Sequence, residues 1–247
     1  GRHQRELPGG VSQAHHAVNA PHSAALHWAA PAQAVLFDLD GTLADTAGDL
    51  VGAVNQLRVQ RGLPAMPLDT LRPYASAGAR GLIGAALDIH PGHAEFEDLR
   101  TAFLSAYERC LVDTTVLFEG MAELLTTLED QGIAWGVVTN KPHRFTVPVM
   151  QGLNLIERSA TLISGETTAQ AKPHPLPLLT ACEQIGVNPA RVLYVGDDLR
   201  DIQAAQAASM PSAAAAWGYI GHSGEIGTWG ASVIVAQPLD LLQHLGR

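Results

Sequence analysis

The run Ala34-Val35-Leu36-Phe37-Asp38-Leu39-Asp40-Gly41-Thr42-Leu43-Ala44-Asp45-Thr46 constrains this chain more than any other stretch. Apolar residues stop abruptly at two carboxylates. A short apolar run bounded by turn residues suits a strand buried on both faces, as in a parallel sheet. Side chains at i and i+2 share one face of a strand, so Asp38 and Asp40 can converge on one site at its C-terminal end. Gly41 permits a tight turn directly after them. Open parallel sheets bind ligands at this edge. One carboxylate there can attack a phosphoryl group while the other moves protons. Taken alone, the pair also fits a strand end followed by an N-capping Asp.

From residue 34 onward strands and helices alternate. Strand-like runs fall at Ala34–Phe37, Ile133–Val138, Thr161–Ser164, Val192–Val195, Ala213–Ala216 and Val233–Ala236. Helical patterns fall between them, at Met121–Gln131, Pro175–Ile185, Leu199–Ala208 and Leu239–Leu245. This alternation predicts an α/β fold with a doubly wound parallel sheet. The interval from Thr46 to about Val116 breaks the rhythm. It holds helical patterns at Thr46–Arg61, Leu68–Tyr74, Ala79–Leu87 and Ala94–Leu111, punctuated by Pro64, Pro67 and Pro91-Gly92, and no strand. So long a helical insertion after the first strand is no simple crossover. It predicts a helical domain over residues 47–115 that sits above the C-terminal edge of the sheet, excluding water and supplying substrate contacts. The core domain is then 33–46 with 116–247. Residues 1–32 carry five of the eleven histidines at irregular spacing. They read as a flexible N-terminal extension.

Composition removes whole classes of partner. A net charge of −9 with no basic stripe argues against nucleic acid. No apolar run reaches the length of a membrane span, and Ser23–Ala32 is too short and too interrupted for a secretory signal. Cys110 and Cys182 are the only two cysteines in 247 residues. They read as small core residues of a reduced, cytoplasmic protein.

Three later strands also end in polar residues. Val137-Val138 runs into Thr139-Asn140-Lys141-Pro142, where a hydroxyl and helix-opening N–H groups suit a phosphate oxygen; an ordinary Thr N-cap fits the same residues. In Ala171-Lys172-Pro173-His174-Pro175 the prolines fix the backbone around Lys172, which could neutralise a transferring phosphoryl group or simply be solvated. Val192-Leu193-Tyr194-Val195 ends in Gly196-Asp197-Asp198-Leu199-Arg200-Asp201. Acids so crowded repel one another unless a cation is present, and carboxylates are what Mg²⁺ takes; N-capping of the next helix accounts for part of the cluster. An acid pair, a Thr, a Lys and an acid cluster therefore stand in order, each after a strand or before a helix.

This ordered set resembles the haloacid dehalogenase (HAD) superfamily of phosphatases, from about Ala34 to Leu245, with all four family motifs present. The resemblance implies a Rossmann-like core and makes the helical insertion similar to the family's C1 cap. It implies that Asp38 is the nucleophile, that Asp40 is the general acid and base, and that Thr139 and Lys172 hold the phosphoryl oxygens. It further implies Mg²⁺ bound by Asp38, Asp197 and the main-chain carbonyl of Asp40, with Asp198 and Asp201 as outer-sphere supports. The partner is then a small phosphorylated metabolite.

Within the superfamily, Thr139–Pro142 and Lys172–Pro175 look like the phosphoglycolate phosphatase group. Ser76–Arg80, Val137–Phe145, Gly196–Ala204, Trp217–Ile220 and Trp229–Ala231 look closer to the N-acetylmuramic acid 6-phosphate phosphatases of peptidoglycan recycling. Arg80, at the start of a cap helix, is a candidate to pair with a substrate carboxylate; a salt bridge with a cap acid is the other reading. Asn140 is a second substrate-binding candidate. His143 and Arg144 suit a solvated helix face, and Trp217, Tyr219 and Trp229 suit packing under the sheet edge. A phosphomutase shares both acids and the cap, and a non-catalytic phosphosugar-binding module is a different class again. A dehalogenase would not need Asp40.

Overall fold

The computed structural model describes residues 24–222 and 224–247. Eight strands lie among the described residues: β1 Ala34–Phe37, β2 Ala44–Asp45, β3 Val116–Leu117, β4 Ala134–Val138, β5 Leu162–Ile163, β6 Val192–Gly196, β7 Ser212–Ala215 and β8 Val233–Val235. Six of them form one sheet in the order β5-β4-β1-β6-β7-β8, parallel throughout. Every residue of β1 is buried, as a central strand covered by helices on both faces requires. The chain winds outward from β1 in both directions. The ends of β1, β4 and β6 therefore meet at a topological switch point, where parallel sheets open a crevice.

The helices are α1 Ala47–Gln60, α2 Leu68–Leu71, α3 Gly78–Leu87, α4 Phe96–Glu108, α5 Met121–Asp130, α6 His143–Gly152, α7 Leu176–Ile185 and α8 Leu199–Ala207. Helical spacing of apolar residues explains which faces they bury. In α4, Phe96, Leu99, Phe103, Ala106 and Tyr107 form one seam, and in α5 Met121, Leu124, Leu125 and Leu128 do the same. The first four helices form the inserted cap. Its seam and one face of the sheet share a single buried cluster, in which Leu50, Phe103 and Tyr107 join Phe37, Leu39 and Phe145. A second cluster, with Leu36, Leu178 and Tyr194, lies under the opposite face.

The structure differs from the sequence expectations in local detail. The helix expected over Leu68–Tyr74 stops at Leu71 and tightens into a 3₁₀ turn, Arg72–Ala77, because Pro73 has no N–H to continue the ladder. The helix expected at Leu239–Leu245 is a 3₁₀ segment, Pro238–His244. The interval between Thr46 and Val116 is helical as expected, yet the chain crosses into and out of it through β2 and β3, a two-residue antiparallel pair. Strands that short carry no periodicity to read. Within residues 24–32, placed in the extension, Trp28 and Ala32 pack on the core: Trp28 Nε1 donates to His244 O at 2.7 Å and Ala32 is fully buried. His3, His15, His16 and His22 lie outside the described residues. Both cysteines are free thiols, raised to about 11 by burial. No helix among the described residues is long and apolar enough to cross a membrane.

A buried carboxylate ties the two cap crossings together. Asp49, in the first turn of α1, accepts from Thr114 N (3.1 and 3.0 Å), Thr114 Oγ1 (2.8 Å), Thr115 N (3.1 Å) and Thr115 Oγ1 (2.8 Å). Its oxygens replace water for donors that the approach to β3 leaves without a ladder. Asp49→Ala is expected to cost about 3 kcal/mol of stability, because the two amides lose a charged acceptor inside the protein. A urea unfolding curve reads this as a lower midpoint at unchanged slope.

Candidate active site

Most of the polar residues at the crevice are delivered by the ends of strands. Asp38 and Asp40 follow β1, Thr139 to Lys141 follow β4, and Asp197 to Asp201 follow β6 into α8. Gly41 makes the first turn possible. Its φ is +80°, and a Cβ there would come within 2.2 Å of Asp197 Oδ2. Lys172 arrives from the loop before α7.

Lys172 is the electrostatic centre. Its ammonium is buried and lies 2.6 Å from Asp201 Oδ1, 2.7 Å from the Tyr194 hydroxyl, 3.0 Å from Val138 O and 3.2 Å from Asp38 Oδ1. Burial alone would discharge it, but the Asp201 and Asp38 carboxylates outweigh burial and hold its pKa above the ordinary value. Asn140 fixes the approach. Its Nδ2 donates to Lys172 O and its Oδ1 accepts from Lys172 N, both at 2.9 Å. Tyr194 closes the cage, pointing its own hydroxyl at Val138 O, 2.8 Å away.

Asp38, Asp197 and Asp201 bring carboxylate oxygens within 4.8 Å of one another. Burial, then the charge of Asp201, pushes the Asp38 pKa well up, and the same two causes raise Asp197 to about 7. Asp197 is fully buried. It accepts from Thr42 Oγ1 (3.1 Å), Ser76 Oγ (3.0 Å) and Tyr219 N (2.9 Å). An all-oxygen donor set under mutual repulsion fits a hard divalent cation, whose charge would relieve both shifts.

The remaining expected residues fall around this centre. Thr139 is buried, and its Oγ1 accepts from Lys141 N at 3.0 Å. Asp198 and Asp201 form a capping box on α8, so capping and clustering coexist in the same side chains. Asp198 also takes Arg200 Nε at 2.8 Å, while Arg200 Nη2 donates to Ser76 O in the cap at 2.9 Å. Arg80 lines the cavity and makes no ion pair among the described residues, so the cap salt bridge offered as its other reading is absent there. His143 and Arg144 are exposed and lie off the cavity wall. Tyr219 is buried and accepts from Thr46 N at 2.7 Å, Trp229 is buried, and Trp217 Nε1 donates to Thr42 O at 2.9 Å: they pack rather than face a ligand.

The cavity measures about 330 Å³. Asp38, Asp40, Thr139 and Lys172 line it from the core, and Arg80, Arg100, Phe103 and Tyr107 from the cap. Sequence reasoning did not single out Arg100, Tyr107, Lys141, Tyr194 or Arg200. Lys141 had a legible signal in its place two residues after Thr139. Tyr107 had none, since it continues an apolar helical seam.

A parallel sheet with paired acids after its first strand and a helical cap over that edge defines an α/β protein with an inserted cap above a carboxylate site. Residues 35–215 match the sequence model of the haloacid dehalogenase-like hydrolases, and the chain belongs to that family. It is 46% identical over 209 residues to an N-acetylmuramic acid 6-phosphate phosphatase of Pseudomonas putida, covering 85% of this chain and 94% of the relative. It is equally, 46% over 209 residues, identical to a phosphoglycolate phosphatase of Xanthomonas campestris pv. campestris, with the same coverage of 85% and 94%. Among solved structures, a predicted phosphoglycolate phosphatase from Haemophilus somnus superposes with a TM-score of 0.76 at 27% identity, covering 85% of this chain and 96% of that one.

Tyr194→Phe tests the cage around Lys172. Removing one neutral acceptor from a buried ammonium is expected to cost about 1–2 kcal/mol. Thermal denaturation should show this as a Tm lower by about 3–6 °C.

Proposed function

We propose that this enzyme is a Mg²⁺-dependent phosphomonoesterase whose substrate is N-acetylmuramic acid 6-phosphate, acting in the cytoplasm. The observation that carries the reading is the division of the cavity. A buried Lys and carboxylates form its floor, and two arginines without ion-pair partners among the described residues, Arg80 and Arg100, stand on the cap wall. The floor suits a phosphate. The arginines suit a second anionic group at the far end of the same molecule, which the lactyl carboxylate supplies. Phe103 and Leu104 beside them offer an apolar surface to a sugar ring. The phosphoglycolate reading is supported by relatives of equal identity. That substrate also carries a carboxylate, but it offers no ring to the apolar wall.

In this mechanism Asp38 attacks phosphorus in line. Asp40 gives its proton to the leaving alkoxide as the P–O bond breaks, and an aspartyl-phosphate forms on Asp38. Asp40, now ionised, takes a proton from the water that attacks the phosphorus of the intermediate, releasing phosphate and restoring Asp38. Thr139 and Lys172 hold the phosphoryl oxygens, with Lys172 offsetting the repulsion between two anions. Asp38, Asp197 and the main-chain carbonyl of Asp40 would hold Mg²⁺, with Asp198 and Asp201 as outer-sphere supports; when bound, the ion neutralises phosphoryl charge. Asn140, through its grip on the Lys172 backbone, serves phosphate binding by orientation.

Asp38→Asn should abolish phosphate release, and excess EDTA should do the same to the unaltered enzyme. Near-normal turnover in either case would sink the mechanism. Asp40→Asn should cripple turnover while leaving Mg²⁺ affinity, measured by titration calorimetry, nearly unchanged.

Substrate choice is tested by comparing kcat/KM. N-acetylmuramic acid 6-phosphate should exceed phosphoglycolate by about tenfold or more, a difference of about 1.4 kcal/mol in transition-state free energy. Arg80→Ala should cost this substrate more than it costs N-acetylglucosamine 6-phosphate, which lacks the lactyl group. Equal losses would remove Arg80 from carboxylate recognition. A clear preference for phosphoglycolate would overturn the assignment and leave the phosphatase reading standing.

A further inference from the structure

The mechanism above gives no role to Lys141, yet Lys141 is one of the most tightly held cations in the protein. Its ammonium is buried, 2.9 Å from Asp40 Oδ1 and 2.6 Å from the Tyr107 hydroxyl, and it lies 4.5 Å from the centre of the Tyr107 ring. It donates to both of these oxygens. A buried ammonium is costly to maintain without a purpose that its partners share.

The contacts on Asp40 are lopsided. Oδ1 accepts from Lys141 Nζ and also from Thr46 Oγ1, at 2.6 Å. Oδ2 accepts from no protein donor among the described residues, and Asp40 lines the cavity. An oxygen facing two donors is the wrong place for a carboxyl proton, because that hydrogen would point at other hydrogens. The proton of the neutral acid therefore belongs on Oδ2, the oxygen free of protein donors.

The third member comes from the cap. Tyr107 sits on α4, buried, with ring centroids 6.2 Å from Phe103 and 5.4 Å from Phe145. Burial raises its phenol to about 12, so it meets Lys141 as a neutral acceptor. The chain of contacts runs from a cap helix, through a residue after β4, to the second acid after β1.

We propose that Lys141 is a positioning residue for Asp40. It pins Oδ1 and so leaves Oδ2 to carry the transferable proton, and Tyr107 ties that arrangement to the cap. The proposal rests on the reading of Asp40 as the acid that protonates the leaving alkoxide.

Leaving-group dependence tests it. A p-nitrophenolate leaves without needing a proton, whereas a sugar alkoxide does not. kcat/KM reports steps only up to departure of that group, so later hydrolysis of the aspartyl-phosphate does not blur the comparison. Lys141→Met is expected to lower kcat/KM about tenfold or more on a sugar 6-phosphate, and less than about threefold on p-nitrophenyl phosphate. Tyr107→Phe keeps the ring and removes the hydroxyl. It should show the same bias at a smaller size, about two- to fivefold on the sugar phosphate, and it carries the test if Lys141→Met does not fold. Equal losses on both substrates, or none, in variants with an intact circular dichroism spectrum would overturn the proposal. Asp40→Asn is the reference and must show the strongest bias. If it shows none, the role of Asp40 falls; if it does and the other two variants do not, only the positioning role falls.

Discussion

The site depends on one buried ammonium. Asp38, Asp197 and Asp201 meet at the end of a parallel sheet, where burial and mutual repulsion work against their ionised forms. Lys172 offsets part of that cost through Asp201 at 2.6 Å and Asp38 at 3.2 Å. It can do so only because Asn140 grips its backbone on both sides and the ammonium also donates to Tyr194 and Val138. Removing one partner from such a group leaves a charge inside the protein with nothing to answer it. The same cage leaves the carboxylates short of positive charge, which is the condition a divalent cation relieves.

Cap and core meet through polar contacts that converge on the same few residues. Ser76 reaches Asp197, Arg200 reaches back to Ser76 O, and Arg72 pairs with Asp45 through both terminal nitrogens at 3.2 and 3.1 Å. Arg72 also stacks over the ring of Tyr219, whose hydroxyl meets Thr46 at the start of α1. The cap's position is thereby written into the surroundings of Asp197, as it is into those of Asp40 through Tyr107 and Lys141. Specificity and chemistry are physically adjacent in such an arrangement.

Much of this was legible in the sequence because the signals are local. An apolar run that ends in Asp38-Leu39-Asp40 has few ways to fold, and strand alternation placed all six strands of the main sheet within a residue or so of where they lie. The acid cluster at Asp197–Asp201 and the loops at Thr139 and Lys172 were visible as polar residues following strand patterns. The absence of strands between residues 46 and 116 revealed the cap, since seventy residues of helical pattern have no place in a crossover. Arg80 was legible as a cation at a helix start, though not as one without an ion-pair partner among the described residues.

Tertiary structure alone decided who touches whom. Lys141 and Lys172 are both lysines in loops of the core, and nothing in their neighbours says that one is caged by Asp201 and Tyr194 while the other bridges Asp40 and Tyr107. Tyr107 and Tyr194 sit in apolar patterns of a helix and a strand, where a phenol reads as core until a buried ammonium is found against it. The β2 and β3 pair is too short to carry a period, and the clamp of Asp49 on Thr114 and Thr115 joins residues more than sixty positions apart. Periodicity reports which face of an element is buried. Which polar groups then pair inside is set by how the elements pack, because each buried donor and acceptor must find a partner within about 3 Å.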